Sequence, residues 1–481
     1  MHVDAAEVHV SLVGRKDLTG EIYRQLRRAI LDGRLPPGGR LPPTRELARR
    51  PSVSRTTVTV AYDRLLGEGF VTSRVGAGTF VSDAVPAVAD RARPAGGALR
   101  PRPVWDDVPL PTVFDRAAEF DFRPGIPDAQ LFPYRTWRQL LARQLRPAAV
   151  GNGAYGDPAG HQGLRQAIAR HLGVARAVLA GPEDVVVTNG TQQAVDLVAR
   201  VLLDPGDRVA VETPGYGPPR RLLATLGMEV AGVPVDAEGL VVEAIPPGTR
   251  MVVVTPSHQF PLGMVMSLSR RLALLAWAER NDAAIVEDDY DSEFRYGGRP
   301  IEPLQTLDHG GRVVYVGSFS KTMLATLRLG FVVAPRPLAG AVAAAKFVAD
   351  WHTTLPLQAA LADFLDQGWF ARHVRRMRGV YAERHRRIVE VLGDRFADHL
   401  KVIPSSAGLH VAATAPAMSH EELAAVLAQA SAAGVELRPL SLWDVGPPSQ
   451  PGIALGYGAI PTGRIDEGLE RLRAAFDRHQ T

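Results

Sequence analysis

Lys321 is the residue of this sequence with the clearest capacity for covalent chemistry. It follows an apolar run, residues 313–316, that predicts a buried strand, and Ser318, Ser320 and Arg328 flank it. An amine held in this way can condense with an aldehyde, while the hydroxyls and the guanidinium neutralise a phosphate. The aldehyde that carries its own phosphate is pyridoxal 5′-phosphate (PLP), which proteins hold through a lysine Schiff base and a carboxylate on the ring nitrogen. The segment therefore predicts a PLP site, although a solvated serine-rich loop fits it too.

A second polar segment, residues 189–192 (Asn-Gly-Thr-Gln), follows another apolar run and leads into a helical pattern. Backbone N–H groups at the start of a helix bind phosphate, and Gly190 allows a close approach of the backbone. The segment is thus a candidate phosphate site. A plain strand-to-helix turn fits the same residues.

The acidic run 287–289 and the adjacent Tyr290 follow a third apolar run. One aspartate of the run can pair with a pyridinium nitrogen, and Tyr290 can hydrogen-bond to the ring's phenolate oxygen. Tyr216 can stack on the ring or serve as a core aromatic. Clustered oxygen ligands also fit a Mg²⁺ site, but no glycine-rich lysine loop for a phosphoanhydride accompanies them, and we predict no metal.

Short β-branched runs alternate with helical patterns from about residue 119 onward. This alternation predicts a doubly wound α/β domain with a mostly parallel sheet. Such sheets bind ligands outside the carboxyl ends of their strands, and the polar segments above all stand there. We therefore expect them to form one site. The candidate strands are Val185–Thr188, Arg208–Glu212, Met251–Thr255, Ala283–Asp288, Val313–Gly317 and Leu329–Ala334.

The positive charge of the chain is concentrated at its N-terminal end. Residues 1–82 hold 13 Lys and Arg against 8 Asp and Glu, a net charge of +5, whereas the whole chain of 481 residues carries +4, which leaves −1 for the remainder. A small basic domain beside a nearly neutral body predicts contact with a polyanion.

The same N-terminal residues predict three helices followed by a β-hairpin. The helical stripes are Leu18 to Leu31, a short helix from Thr44 to Arg49, and Ser54 to Leu66, and the hairpin occupies residues 70–82. Ser54 is a good N-cap for the third helix.

The third helix has the pattern of a DNA-recognition helix that enters the major groove. Arg55, Thr56 and Thr57 at its N-terminal end are expected to reach base edges or phosphates. Arg45 and Arg74 are expected to position the domain through the DNA backbone.

Length and composition favour a cytoplasmic protein of two or three domains. The sequence has no cysteine, no apolar run long enough to cross a membrane, and no signal-peptide core in residues 1–16. We predict a DNA-binding domain at residues 1–82, a linker rich in Ala, Pro, Arg and Asp at 83–118, and a large domain at 119–481. DNA binding also predicts association with the nucleoid.

Two family resemblances agree with these predictions. The part from about residue 119 to 481 resembles fold-type I aminotransferases through the Ser-x-Ser-Lys and Arg-x-Gly segment, residues 189–192, and residues 155–160 (YGDPAG) followed by Leu164-Arg165. Residues 19–82 resemble a GntR-type winged helix-turn-helix. Its marks are residues 33–38 (GRLPPG), 41–48 (LPPTRELA), 53–58 (VSRTTV) and 76–81 (GAGTFV).

The two halves in this order are typical of the MocR subfamily of GntR-type regulators. Residues 255–263 (TPSHQFPLG) and 287–294 (EDDYDSEF) resemble sequence motifs of that subfamily. The resemblance implies a multidomain protein, with a mainly helical winged domain before an α/β PLP domain. It also implies a homodimer, head-to-tail, in which the DNA-binding domain of one chain lies on the large domain of the other.

The resemblance also assigns roles at the PLP site. It implies that Lys321 is the Schiff-base lysine, that Asp288 pairs with the ring nitrogen and that Tyr290 contacts the ring oxygen. Glu287 replaces Asp288 if the aminotransferase spacing Asp-x-x-Tyr is strict. The implied phosphate ligands are Gly190, Thr191, Gln192, Ser318, Ser320 and Arg328.

Two departures from the aminotransferase pattern argue against turnover of amino acids. Phe260 stands where an asparagine usually contacts the ring, and Ala454 is the nearest match to the arginine that clamps a substrate carboxylate. Loss of that clamp removes a strong, charge-assisted pair of hydrogen bonds. We therefore predict a DNA-binding regulator that senses PLP or a PLP–amine adduct. The alternative is a working aminotransferase with an accessory N-terminal domain.

Overall fold

The computed structural model describes residues 17–49, 53–84, 100–106, 108, 110, 118–297 and 302–479. They divide into two compact units, Met1–Arg102 and Pro103–Thr481. Residues 1–16, where we predicted no signal peptide, and most of the predicted linker 83–118 lie outside the described residues, so the domain limits stay a prediction. No helix among the described residues is both long and apolar enough to cross a membrane.

The first unit confirms the predicted three helices and hairpin. Helices α1 (Leu18–Leu31), α2 (Thr44–Arg49) and α3 (Arg55–Gly67) precede an antiparallel hairpin of β1 (Val71–Arg74) and β2 (Gly78–Val81). Each helix buries its apolar face in one small core.

Local polar contacts fix the ends of these helices. Asp17 caps α1 by accepting from the backbone N–H of Gly20, and Ser54 caps α3 by accepting from the N–H of Thr57 at 3.1 Å. The Tyr62 hydroxyl donates to the carbonyl of Pro42 at 2.7 Å, which ties α3 to the turn before α2. The sequence alone suffices for this unit because such contacts join near neighbours in the chain.

The second unit is built on an eight-stranded mixed sheet. Strands β4, β9, β10 and β11 are close to the predicted ones, and β5 and β8 overlap them with slightly shifted ends. Its eight strands are β4 (Val185–Thr188), β5 (Arg208–Thr213), β6 (Glu229–Asp236), β7 (Gly239–Leu240), β8 (Thr249–Val254), β9 (Ala284–Asp289), β10 (Val313–Ser318) and β11 (Gly330–Val333).

The strand order is β4-β11-β10-β9-β8-β5-β6-β7, in which β10, β9, β8, β5 and β6 run parallel and β11 and β7 are antiparallel to their neighbours. The sequence analysis missed β6. That strand contains Gly232 and Pro234 and is largely half-buried, so it lacks a clear apolar run.

Helices cover this sheet, as βαβ connections require. In chain order, the helices of the whole unit are α4 (Tyr134–Gln144), α5 (Pro147–Val150), α6 (Gln162–Arg176), α7 (Thr191–Leu202), α8 (Gly217–Thr225), α9 (Leu268–Arg280), α10 (Leu304–Leu307), α11 (Arg336–Asp350), α12 (Leu355–Asp366), α13 (Trp369–Arg395), α14 (His420–Ala432) and α15 (Ile465–His479).

Two smaller sheets complete the unit. One is a parallel pair of β3 (Phe120–Asp121) and β14 (Val435–Glu436). The other is antiparallel, with the order β12-β13-β16-β15, formed by β12 (Lys401–Val402), β13 (His410–Thr414), β15 (Arg438–Pro439) and β16 (Gly452–Gly456).

Candidate functional site

The polar segments predicted from the sequence meet at one edge of the large sheet. Strands β4, β5, β8, β9 and β10 all point the same way, so their carboxyl ends lie together. Strand β11 runs the opposite way and therefore starts at this edge, which brings Arg328 to it. The structure thus brings together residues that are far apart in the chain.

A cavity of about 260 Å³ opens at this edge. It is lined by nine of the ten predicted cofactor residues, namely Thr191, Gln192, Tyr216, Asp288, Tyr290, Ser318, Ser320, Lys321 and Arg328. The tenth, Gly190, lies beneath the Arg328 guanidinium, since a Cβ at residue 190 would be 3.0 Å from its Nη2 atom. The other lining residues are Pro124, Gly125, Phe260, Asp291, Ala325, Leu409 and His410.

Lys321 is partly buried at the base of the cavity. Its Nζ donates to the carbonyl oxygen of Gly125 at 2.9 Å. Burial lowers the pKa of the lysine, and the carboxylates of Asp291 and Asp288 oppose that effect. A lowered pKa increases the neutral amine fraction, which is the form that attacks an aldehyde.

The opposite end of the cavity has the features of a phosphate site. Gly190 adopts a φ of +86° and directly precedes α7, whose first-turn N–H groups have no acceptor within the helix. Arg328 donates from Nη2 to the carbonyl of Asn189 at 2.8 Å. Gly330 lets the backbone pass close by, because a Cβ there would lie 2.8 Å from the Cα of Gly190. Positive charge and helix N–H groups together favour an anion.

Asp350 at the end of α11 anchors this phosphate end from behind. Its Oδ2 accepts from Asn189 Nδ2 and from Gln193 Nε2, both at 2.8 Å. Its Oδ1 pairs with the ammonium of Lys346 at 2.5 Å. The loop that precedes α7 is thereby held in place from a second helix.

The three consecutive acids at the end of β9 have three different surroundings. Glu287 accepts from the backbone N–H groups of Leu304 and Gln305, at 2.9 and 3.0 Å, and does not line the cavity. Asp288 lines the cavity. Asp289 lies elsewhere and pairs with Arg176. Alternation along the strand turns Asp288 to the side opposite Glu287 and Asp289.

Asp288 is therefore the acid of this run that faces the cavity. It is 4% exposed, and the hydroxyl of Thr191 lies 3.4 Å from its Oδ1. Burial, and next the charge of Asp289, raise the pKa of Asp288 to about 7, while Lys321 and Thr191 oppose the rise. A cationic pyridinium in the cavity would favour the ionised form of this carboxyl.

Tyr290 is held from behind by His258, a residue that follows β8. The Tyr290 hydroxyl lies 3.0 Å from His258 Nδ1 and 3.0 Å from the His258 carbonyl oxygen. Asp291 lies 3.1 and 3.2 Å from the same Nδ1, and Ser405 Oγ is 3.2 Å from Nε2. Burial keeps the pKa of Tyr290 well above its usual value, so its hydroxyl remains protonated.

The sequence analysis missed some of these residues. His258 and Asp291 stand within segments quoted for the family resemblance, four residues after β8 and two after β9, so their position at strand ends was a usable signal. Gly125 and His410 come from the segment before α4 and from the small sheet. No pattern in the sequence connected them with the site.

The cavity fits PLP on structural grounds. A partly buried lysine, a buried carboxylate and a helix start with a guanidinium occupy three sides of one space, which matches an aldehyde, a ring nitrogen and a phosphate. Tyr216, 39% exposed, and Phe260 add an aromatic wall, their ring centroids 5.7 Å apart.

The predicted DNA-contacting residues lie on the first unit. Arg45, Ser54, Arg55, Thr56 and Arg74 are exposed, and Thr57 is half-buried. Ser54 and Thr57 already form the cap of α3, their hydroxyl oxygens 2.7 Å apart. Among the residues that the structure describes, the Arg55 side chain makes one long contact, 3.4 Å with Thr44, whereas the Arg74 guanidinium lies 4.9 Å above the ring of Phe80. Arg55 and Thr56 are thus the freer side chains.

Comparison with protein families assigns both units. Residues 18–81 match "Bacterial regulatory proteins, gntR family", and residues 127–449 match "Aminotransferase class I and II". The aminotransferase match, together with the PLP-enzyme structures below, shows that the large unit binds PLP.

Relatives of known name cover nearly the whole chain. The chain is 40% identical to the probable rhizopine catabolism regulatory protein MocR of Rhizobium meliloti, over 95% of this chain and 93% of that protein. It is 33% identical to the HTH-type pyridoxine biosynthesis transcriptional regulator PdxR of Corynebacterium glutamicum, over 91% of each chain.

A solved structure with the fold of the large unit is LysN, an α-aminoadipate aminotransferase from Thermus thermophilus complexed with N-(5′-phosphopyridoxyl)-L-leucine. It has a TM-score of 0.68 and 28% identity and covers 75% of this chain and 92% of that one. With a gntR unit, a PLP-binding aminotransferase unit and these relatives, the chain belongs to the MocR subfamily of GntR-type DNA-binding transcriptional regulators.

Proposed function

We propose that this regulator uses its aminotransferase-like unit as a sensor and that PLP, or PLP joined to an amine, is the signal. The observation that carries the proposal is the single cavity in which Lys321, Asp288 and Arg328 meet, in the same chain as an exposed, N-capped recognition helix. The name of PdxR connects a relative with pyridoxine biosynthesis, which supports a B6 signal.

Each side chain of the cavity has a separate task in this proposal. Bound PLP supplies an aldehyde that condenses reversibly with amines. Lys321 is the amine that occupies it at rest, and its lowered pKa helps it to return after an effector leaves. Asp288 holds the ring nitrogen. The helix start at Gly190–Gln192, with the hydroxyls of Ser318 and Ser320 and the Arg328 guanidinium, retains the phosphate.

The charges of the cavity favour an effector amine that has no carboxylate. Its lining among the described residues contains two cationic side chains, Lys321 and Arg328, and both are assigned to PLP. The other ionisable groups of the lining include two carboxyls, Asp288 and Asp291. Burial places the pKa of His410 well below its usual value, so this histidine is neutral. A substrate carboxylate would be buried without a partner.

The wall next to Phe260 is also apolar. Phe260 packs with Ala412, Leu440, Trp443 and Ala454, all buried. Its ring centroid is 5.1 Å from that of Trp443. An amine with an apolar tail, or PLP itself, suits this wall.

DNA binding is proposed to use α3 in the major groove, with Arg55, Thr56 and Thr57 at base edges or phosphates. Arg45 and Arg74 would contact the backbone, and the Ser54 cap would keep the helix start in place. A head-to-tail homodimer would present two such helices to repeated half-sites. The signal acts only if it binds with unequal affinity to the dimer arrangements that fit and do not fit the operator.

Footprinting on the intergenic region upstream of the gene tests this function. We expect a protected repeat whose extent or affinity changes when PLP or a candidate amine is added to the wild-type protein, and does not change for Lys321→Ala. A PLP-independent footprint in the wild type would contradict the sensor role. Sustained release of a keto acid from amino acids would instead support the aminotransferase alternative.

A further inference from the structure

His258 lies directly behind the cavity and contacts the side chain that is proposed to face the ring oxygen of PLP. It is 2% exposed. The backbone of Gly408 packs against its ring, since a Cβ at that residue would lie 2.0 Å from the His258 Cε1 atom. The imidazole is therefore held in one orientation, and its hydrogen bonds follow from its surroundings.

The carboxyl beside the ring indicates a hydrogen on Nδ1. The carboxyl of Asp291 lies 3.1 Å from Nδ1 and is the acceptor for a proton on that nitrogen. Ser405 Oγ lies 3.2 Å from Nε2 and also donates to the carbonyl oxygen of Ala407 at 3.3 Å. A carboxylate beside Nδ1 fixes a hydrogen on that nitrogen, in the way that ring partners usually orient histidines.

The same Nδ1–H group decides where the proton of Tyr290 points. The tyrosine oxygen lies 3.0 Å from Nδ1 and 3.0 Å from the His258 carbonyl. If its proton lies on that carbonyl, only lone pairs face the cavity, and they repel a phenolate oxygen. When the Nδ1–H group is shared between Asp291 and the tyrosine oxygen, the hydroxyl proton is free to turn to the cavity and becomes a stronger donor there.

We infer that His258, oriented by Asp291, is a positioning residue that directs the Tyr290 proton toward the ring oxygen of bound PLP. The inference rests on the proposed placement of PLP in this cavity. His258 itself touches no reacting atom in this scheme.

The other titratable groups around His258 do not take over this task. His410 of β13 lies with its ring centroid 4.9 Å away, but its Nε2 contacts the carbonyl of Pro261 at 2.9 Å. Burial lowers the pKa of His385 on α13, whose ring packs against Tyr296 and Tyr457. Lys321 faces Asp291 across the cavity and is reserved for the aldehyde.

The test is the pH midpoint of the visible absorption of the full-length protein loaded with PLP. A donor to the ring oxygen stabilises the lysine imine that has lost its proton, so removal of the donor raises the midpoint. We expect His258→Asn to raise it by about one pH unit, equivalent to about 1.4 kcal/mol. Tyr290→Phe should raise it by at least as much. The double variant should match Tyr290→Phe, because the histidine acts through the tyrosine.

His385→Asn is the matched control, a half-buried histidine whose ring packs against Tyr296 and Tyr457, not against Tyr290, and it should leave the midpoint unchanged. His258→Gln, whose amide can replace Nε2 but not Nδ1, is the second route if His258→Asn fails to fold, and it should raise the midpoint as well. An unchanged midpoint in His258→Asn, or a shift that adds to that of Tyr290→Phe, overturns the inference while PLP binding stands. A wild-type protein without visible absorption overturns both this inference and the proposed function.

Discussion

The recognition helix and the lysine cavity carry their polar groups in opposite ways. Arg55 and Thr56 on α3 are exposed, and within the described part of the chain the Arg55 side chain makes one long contact, with Thr44. Asp288 and Asp291 in the large unit are buried, and burial raises the pKa of both. The recognition helix exposes its charge to water, where it can meet a polyanion. The lysine cavity holds its charges away from water, where a small change in ligand or proton has a large effect.

The difference predicts two kinds of response. Binding through exposed arginines depends on salt, because DNA releases counterions when a protein neutralises its phosphates. Binding in the buried cavity depends on protonation and on the charge of the ligand. Substitutions in the two regions should therefore separate DNA affinity from ligand sensing.

Lys321→Ala should have the largest effect, a complete loss of covalent cofactor. Borohydride reduction of the wild-type protein, followed by peptide mass spectrometry, should find a pyridoxyl group on Lys321, because reduction fixes the Schiff base. The variant should carry none at any lysine. Its affinity for DNA in the absence of PLP should equal that of the wild type. A modified peptide elsewhere would show that the cavity is not the cofactor site.

Amines should act on the loaded protein more strongly than their carboxylated counterparts. We expect 3-methylbutylamine to change the visible spectrum at concentrations about a hundredfold or more below leucine, since a buried carboxylate without a partner costs several kcal/mol. Phenethylamine and phenylalanine form a second matched pair. Equal potency within both pairs would mean that a cation outside the described lining binds the carboxylate.

Arg55→Ala should weaken operator binding by about tenfold or more, as expected for loss of one arginine contact to a base or phosphate. Arg24→Ala on α1 is the matched control, because Arg24 is exposed but already paired with Asp17 and Glu21. Fluorescence anisotropy at fixed salt measures both variants. If the two variants weaken operator binding equally, α3 is not the recognition helix.

Glu212→Gln should have the smallest effect, confined to the pH dependence of stability. Burial raises the pKa of Glu212 to about 7 from 4.5, although hydrogen bonds from Thr255 and Gln259 oppose the rise. The folded protein thus keeps a proton that the unfolded chain loses between about pH 4.5 and pH 7, and its stability falls as pH rises through this window.

In the glutamine variant the free energy of unfolding should decrease less over this pH window, by at most about 3 kcal/mol. Thermal melts of ligand-free wild type and variant, from about pH 5 to pH 8, measure it. If the melting temperatures of wild type and variant change in parallel across the whole pH range, the raised pKa of Glu212 is contradicted. Glu287, whose pKa burial also raises to about 7, should preserve some dependence in the variant.

Contacts between near neighbours in the chain could be predicted from the sequence, whereas contacts between distant segments could not. The cap at Ser54 and the stripe on α3 depend on residues three or four apart. Lys321 was recognised by its own neighbours and by the polar ends of successive strands. Its hydrogen-bond acceptor, Gly125, is 196 residues away in the chain, and no periodicity predicts such a contact.

The acids of β9 illustrate the same limit. Composition could not choose between Glu287 and Asp288, because the choice depends on which side of the strand faces the cavity. The structure gives that side, since Glu287 is satisfied by the N–H groups at residues 304 and 305.

The acceptor of Lys321 has a practical consequence for cutting the protein into pieces. The aminotransferase match begins at residue 127, two residues after Gly125. A fragment started at that boundary would lack the carbonyl that holds the lysine, and it would also lack β3, which pairs with β14. An isolated sensor should therefore begin before Phe120. We expect a fragment trimmed to the family limits to bind PLP more weakly, for reasons unrelated to signalling.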